Sequence, residues 1–127
     1  MRKSVAIVIV ALTLALGVGA TFAAEKGKSV EGVLVDTACY LKNGAKTNDH
    51  GPMKNCGTAC AKGGIPVGIL TAQGKYITLG VAAPMVADHV GKTVRASGEV
   101  KEGVLLPDKF EVQEGSAWKE VKLGPTM

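Results

Sequence analysis

Three cysteines and a histidine stand close together in the chain: Cys39, His50, Cys56 and Cys60. Thiolate and imidazole are ligands for borderline and soft metals, Zn and Cu(I) among them. Met53, between the histidine and the second cysteine, adds a thioether, although an isolated Met is more often packing than ligand. Cys56-x-x-x-Cys60 is a helical spacing, in which two side chains share one face with Cβ atoms about 5–6 Å apart. A disulfide wants Cβ atoms about 3.5–4.5 Å apart. On a helix the two sulfurs therefore should not bond to each other. They can pair singly with Cys39 or share a metal with it.

Three readings stay open. A disulfide from Cys39 to Cys56 or Cys60 would staple a long loop and add about 3 kcal/mol through loop closure. A metal site would draw on Cys39, His50, Cys56 and Cys60, with Cu or Zn as the ion. Thiol–disulfide exchange would use one low-pKa cysteine to attack and another to resolve, although no Cys-x-x-Cys motif is present. An odd cysteine count leaves one thiol over under simple pairing. Covalent haem finds little support, because its Cys-x-x-Cys-His motif is missing and Ala61 follows Cys60.

The elements that must position these residues read as mainly β. Val30 to Asp36 is a strand of β-forming residues. Residues 37–64 then show no sustained period, and this long segment carries every cysteine. Inside it, Asn55 is suited to cap a short helix and Gly63 to end it. Pro66–Thr71 and Lys75–Leu79 form a hairpin about Ala72-Gln73-Gly74. Ala83–Val90 reads as a short helix with Pro84 in its first turn and Gly91 at its end. Thr93–Val100 alternates as a half-buried strand, and Val104–Val112 is the last strand, broken or placed at an edge by Pro107. Residues 113–127 read as a polar tail with Trp118 docking on one end of the core. Five strands with a helix between the third and fourth predict a small OB-fold-like barrel, with a small SH3-like barrel as the rival.

The N-terminus predicts export. Arg2 and Lys3 precede an uncharged stretch from Ser4 to Ala24, the n-region and h-region of a secretory signal. Cleavage is expected after Ala23, with Ala20 and Ala24 as alternatives, and an uncleaved membrane anchor is the competing reading. Of 127 residues with formal charge +4, cleavage would leave a domain of 104 residues at +2, residues 24–127. Such a domain can hold one modest core. Only Tyr40, Tyr76, Phe110 and Trp118 remain as aromatics. Near-neutral charge and few aromatics exclude a nucleic-acid groove, and membrane contact is not expected after cleavage. No phosphate loop, carboxylate pair or nucleophile elbow appears, so no catalytic or cofactor-binding residue is assigned. Asp36, Asp49 and Asp88 are candidate outer partners of a site, Asp36 more simply as a turn residue. His89 reads as a surface or capping histidine.

The combination Asp36-x-x-Cys39-Tyr40, His50, Cys56-x-x-x-Cys60-x-x-x-Gly64-x-Pro66 resembles small exported bacterial proteins with an OB-like barrel. The resemblance covers about residues 29–112. In that pattern the histidine stands closer to the first cysteine of the pair; here five residues separate His50 from Cys56. The resemblance implies no activity. Small periplasmic OB proteins tend to be binding or stress-related modules. Residue chemistry and resemblance together predict a secreted or periplasmic binding module. A thiol-redox protein of the cell envelope and a structural subunit docking on an envelope protein are the alternatives.

Overall fold

The structure, a computed structural model, describes residues 27–125. The expected signal peptide and its cleavage site lie outside the described residues. Among the described residues, six strands form one sheet. They are β1 (Lys28–Asp36), β2 (Val67–Leu70), β3 (Tyr76–Leu79), β4 (Thr93–Lys101), β5 (Val104–Glu114) and β6 (Ala117–Glu120). Two seven-residue helices, α1 (Thr37–Asn43) and α2 (Cys56–Lys62), separate β1 from β2. Two 3-10 turns, Ala83–Met85 and Ala87–His89, separate β3 from β4.

Strand β1 serves two neighbours. Its first half pairs antiparallel with β4, from Lys28↔Gly98 to Val33↔Thr93. Its second half pairs antiparallel with β2, from Val33↔Leu70 to Asp36↔Val67. The order across the sheet is β3-β2-β1-β4-β5-β6. An additional parallel pairing joins β3 to β5 at Thr78↔Val104 and Leu79↔Leu105. Leu34, Val67, Ile69, Val94, Ala96, Leu105 and Phe110 are all fully enclosed in the core. Alternating burial along β4 follows from the period of two in its sequence.

Four expectations change. The long loop after β1 is largely helical at its two ends. α1 escapes a periodicity search because seven residues offer under two turns and none of them is buried. The expected helix at Ala83–Val90 breaks into two 3-10 turns, with Val86 between them at φ −118°. Val86 and Ala87 are fully buried there, so core packing rather than α-helical hydrogen bonding sets the path. The tail contains a sixth strand, β6, paired with β5 from Glu111↔Glu120 to Glu114↔Ala117. Finally, Trp118 does not cover the core. It lies on β6 with the Arg95 guanidinium 4.3 Å from its ring centroid. Arg95 also donates to Glu111 at 2.9 Å.

The register of β4 against β5 shifts between Ser97 and Gly98, where Pro107 stands opposite Gly98. Pro107 has no N–H to give the ladder, and the irregularity absorbs it. A Cβ on Gly98 would fall 2.0 Å from the Leu106 carbonyl oxygen, so a side chain there forces the strands apart. Gly98→Ala is expected to lower stability by about 1–3 kcal/mol, the range of an overpacked core. Urea denaturation checks this; an unchanged midpoint would contradict the close approach.

Candidate metal centre

The site begins where β1 ends. Asp36, 1% exposed, leaves the sheet with extended backbone and caps α1. Its Oδ1 accepts the Cys39 N–H at 2.9 Å, an aspartate N-cap satisfying an otherwise unpaired helix donor. The cap sets Cys39 in the first turn of α1. The next residue, Tyr40, stacks on Tyr76 of β3 with ring centroids 5.3 Å apart. Thr37 and the Tyr76 hydroxyl share a hydrogen bond. Gly68 on β2 makes room for that ring, since a Cβ there would lie 2.5 Å from Tyr76. A glycine on one strand therefore helps to orient the helix that bears Cys39.

Helix α2 carries two stripes at helical spacing. Gly57 and Ala61 are buried; Cys56 and Cys60 form the adjacent stripe and are half-buried. A Cβ on Gly57 would meet Val90 at 2.5 Å and Asp36 Oδ2 at 3.4 Å, so glycine brings α2 close to both the core and the end of β1. Lys62 pairs with Asp88 at 2.8 Å, linking the end of α2 to the second 3-10 turn.

The cap of α2 differs from expectation. Asn55 makes no side-chain cap and has φ 54°. Asn48 takes that role from the preceding loop. Its Oδ1 accepts from Thr58 N at 2.7 Å and from Thr58 Oγ1 at 3.0 Å, and its carbonyl accepts from Gly57 N at 2.9 Å. Its Nδ2 donates to Asn55 Oδ1 at 3.1 Å. Asp49 Oδ1 accepts from Asn55 N at 2.8 Å, and Lys54 pairs with its Oδ2 at 3.0 Å. Gly63 is αR; the positive φ at the end of this helix belongs to Gly64, at 94°.

The same loop carries His50. The His50 and Met53 backbones exchange hydrogen bonds at 3.0 and 3.1 Å, closing a tight turn. His50 Nε2 lies 2.9 Å from the Thr47 carbonyl oxygen. A carbonyl only accepts, so Nε2 is the donor, and in the neutral ring Nδ1 presents a lone pair. Nδ1 is buried and finds no hydrogen-bond partner among the described residues. Nε2 is also 3.7 Å from Asp36 Oδ2.

Two ligand sets result, sharing Cys39. The sulfurs of Cys39, Cys56 and Cys60 lie within 4.8 Å of one another, all as free thiols. Ligand atoms of Asp36, Cys39 and His50 fall within the same spacing. A tetrahedral centre with Zn–S bonds near 2.3 Å keeps its sulfurs about 3.8 Å apart, so small rotations of the side chains suffice. Met53 is 58% exposed at its turn. Asp88 pairs with Lys62 and Asp49 holds the loop, so Asp36 is the one candidate outer carboxylate within the ligand spacing. His89 lies on the second 3-10 turn with its own Nδ1 buried and without a hydrogen-bond partner among the described residues. Burial, then the charge of Lys92, lowers its pKa.

Two of the thiols are held in the protonated form, Cys39 and Cys60. Burial, then the hydrogen bond and negative charge of Asp36, push the Cys39 thiol up to about 12. Burial and then the neighbouring Cys56 raise Cys60. A nucleophilic cysteine needs the opposite shift. A bound cation would instead supply the charge that deprotonates these thiols.

Sequence reasoning brought Cys39, His50, Cys56 and Cys60 forward, but it left Asn48 out and gave Asp36 mainly a turn role. The small-residue stripe Gly57/Ala61 was a readable signal for which face of α2 is buried. Asn48 gave none, because its partners lie up to ten residues away. Comparisons with protein-family models, curated proteins and solved structures found no match.

Removing the loop cap should cost more than removing the adjacent asparagine. Asn48→Ala is expected to lower stability by about 1–2 kcal/mol, the worth of an N-cap. Asn55→Gly keeps a residue suited to positive φ and should change stability by less than about 0.5 kcal/mol. Thermal or urea denaturation of both variants checks the assignment, and the reverse ranking would overturn it.

Proposed function

We propose that this chain is a metal-binding module that takes a soft or borderline transition ion, Zn(II) or Cu(I). Cys39, Cys56 and Cys60 supply thiolates, and His50 supplies Nδ1. The observation that carries this reading is the meeting of three free sulfurs from two helices, one of which, Cys39, also lies within 4.8 Å of a ligand nitrogen of His50. A ligating histidine commonly donates its second ring nitrogen to a backbone carbonyl or carboxylate. The His50 contact with the Thr47 carbonyl has that form. Raised thiol pKa values at Cys39 and Cys60 favour metal binding over thiol–disulfide exchange.

The finer fold is an OB-like barrel. Its support is the circuit of pairings β1-β2-β3-β5-β4 returning to β1, with the parallel β3–β5 contact as the closing link and β6 added outside. The cysteine-bearing segment then projects from the connection between the first two strands. We place the protein in the periplasm or outside the cell on the sequence of residues 1–23, as a binding module. A docking partner in the envelope remains part of that proposal.

Reduced protein should bind one Zn(II) per chain by equilibrium dialysis with elemental analysis. Cys39→Ser, Cys56→Ser and Cys60→Ser should each weaken binding by more than about 100-fold, beyond the loss typical of an outer partner. Wild-type affinity in all three would refute the site. Because the Cys39 thiol holds its proton up to about 12, ion binding must displace that proton. Affinity should therefore rise with pH and fall on acidification, with protons released into weak buffer on loading. Binding independent of pH between pH 6 and about pH 8 would contradict thiolate ligation.

A further inference from the structure

We infer that the metal centre and a Cys39 disulfide are two alternative states of the same three sulfurs, so that a small disulfide oxidant discharges the bound ion. This rests on the metal reading above.

The geometry permits two of the three possible sulfur pairs and bars the third. Cys39 belongs to α1, and Cys56 and Cys60 belong to α2. The sulfurs are within 4.8 Å of one another, so a bond of about 2.05 Å from Cys39 to either partner needs a closure under about 3 Å. Helix α1 buries none of its residues, whereas α2 packs Gly57 and Ala61 in the core. Cys56 and Cys60 are four apart on a helix whose Gly57/Ala61 stripe is packed in the core. Their Cβ atoms stay about 5–6 Å apart, too far for a disulfide while the helix holds. Cys39 is therefore the common partner, and either helix cysteine is the resolving thiol. All three are half-buried rather than enclosed, so a small oxidant can reach them.

The reaction balances with a low-molecular-weight disulfide, RSSR. One metal-bound thiolate attacks a sulfur of RSSR, forming a mixed disulfide and expelling RS⁻. A second protein thiolate attacks the protein sulfur of that mixed disulfide and expels the second RS⁻. Two cysteine sulfurs have lost one electron each, and RSSR has gained two. With two of its thiolates gone the ion dissociates, and the third cysteine takes a proton from solvent. Reduction by a dithiol reverses the sequence and restores the ligand set.

The test uses the full reduced chain loaded with zinc and exposed to oxidised glutathione. Zinc release is followed with a chromogenic chelator, free thiols are counted, and cross-linked peptides are mapped by mass. Release and disulfide formation should proceed together and leave one alkylatable thiol per chain. Cys39 should be present in every intramolecular cross-link. In metal-free variants, Cys60→Ser should form its Cys39–Cys56 bond at least about tenfold faster than Cys39→Ser forms a Cys56–Cys60 bond, given the helical spacing. A dominant Cys56–Cys60 cross-link in the unmutated chain would overturn the proposal, whether or not the variants fold. Zinc that stays bound through complete oxidation of the glutathione-accessible thiols would overturn it as well, while leaving the metal reading intact. Failure of the reduced chain to bind zinc would remove the metal reading, and the switch with it.

Discussion

A buried carboxylate at the end of β1 organises the site. Asp36 is almost wholly withdrawn from solvent, and an ionised group there must find donors or carry a large desolvation cost. It finds the Cys39 N–H through Oδ1, and Oδ2 faces His50 Nε2. One side chain thus ends the strand, starts the helix, fixes the first sulfur and faces the imidazole. Gly57 lets α2 approach the same carboxylate, which brings the remaining two sulfurs to the first. Removing the Cβ-free residue at 57 would separate the helices before it touched the chemistry.

The surrounding structure supplies rigidity by small means. The loop before α2 is held by hydrogen bonds through Asn48, Asp49 and the His50–Met53 turn, with His50 Nδ1 left over. Asn48 also sits against Gly91, where a Cβ would approach its backbone nitrogen to 2.8 Å. The loop is consequently tied to the segment entering β4 as well as to α2. This explains how a segment with no hydrophobic period can hold a histidine that is only 10% exposed at its side chain. Hydrogen bonds specify it where apolar burial does not.

Much of this was legible in the chain, for identifiable reasons. Alternation in β4 and the β-branched run in β1 mark strands because burial on one face imposes a period of two. The Cys-x-x-x-Cys spacing implied a helix, which α2 supplies. Helix α1 was not legible, since its start depends on a single aspartate cap and its length is below two turns. β6 lacks apolar alternation, being largely exposed, and only its pairing to β5 reveals it. Asn55 does stand at the N-cap position of α2 but makes no cap bond; the working acceptor, Asn48, is fixed by tertiary contact. Local signals identify types of residue; the partners across a loop depend on packing that no short window contains.

X-ray absorption at the zinc edge of the reduced, loaded chain tests the central claim most directly. A Cys39–Cys56–Cys60–His50 centre requires three sulfur neighbours near 2.3 Å and one nitrogen at about 2.0–2.1 Å, with imidazole outer-shell scattering that His50→Ala removes. A first shell with fewer than three sulfurs, or one without imidazole, would contradict it.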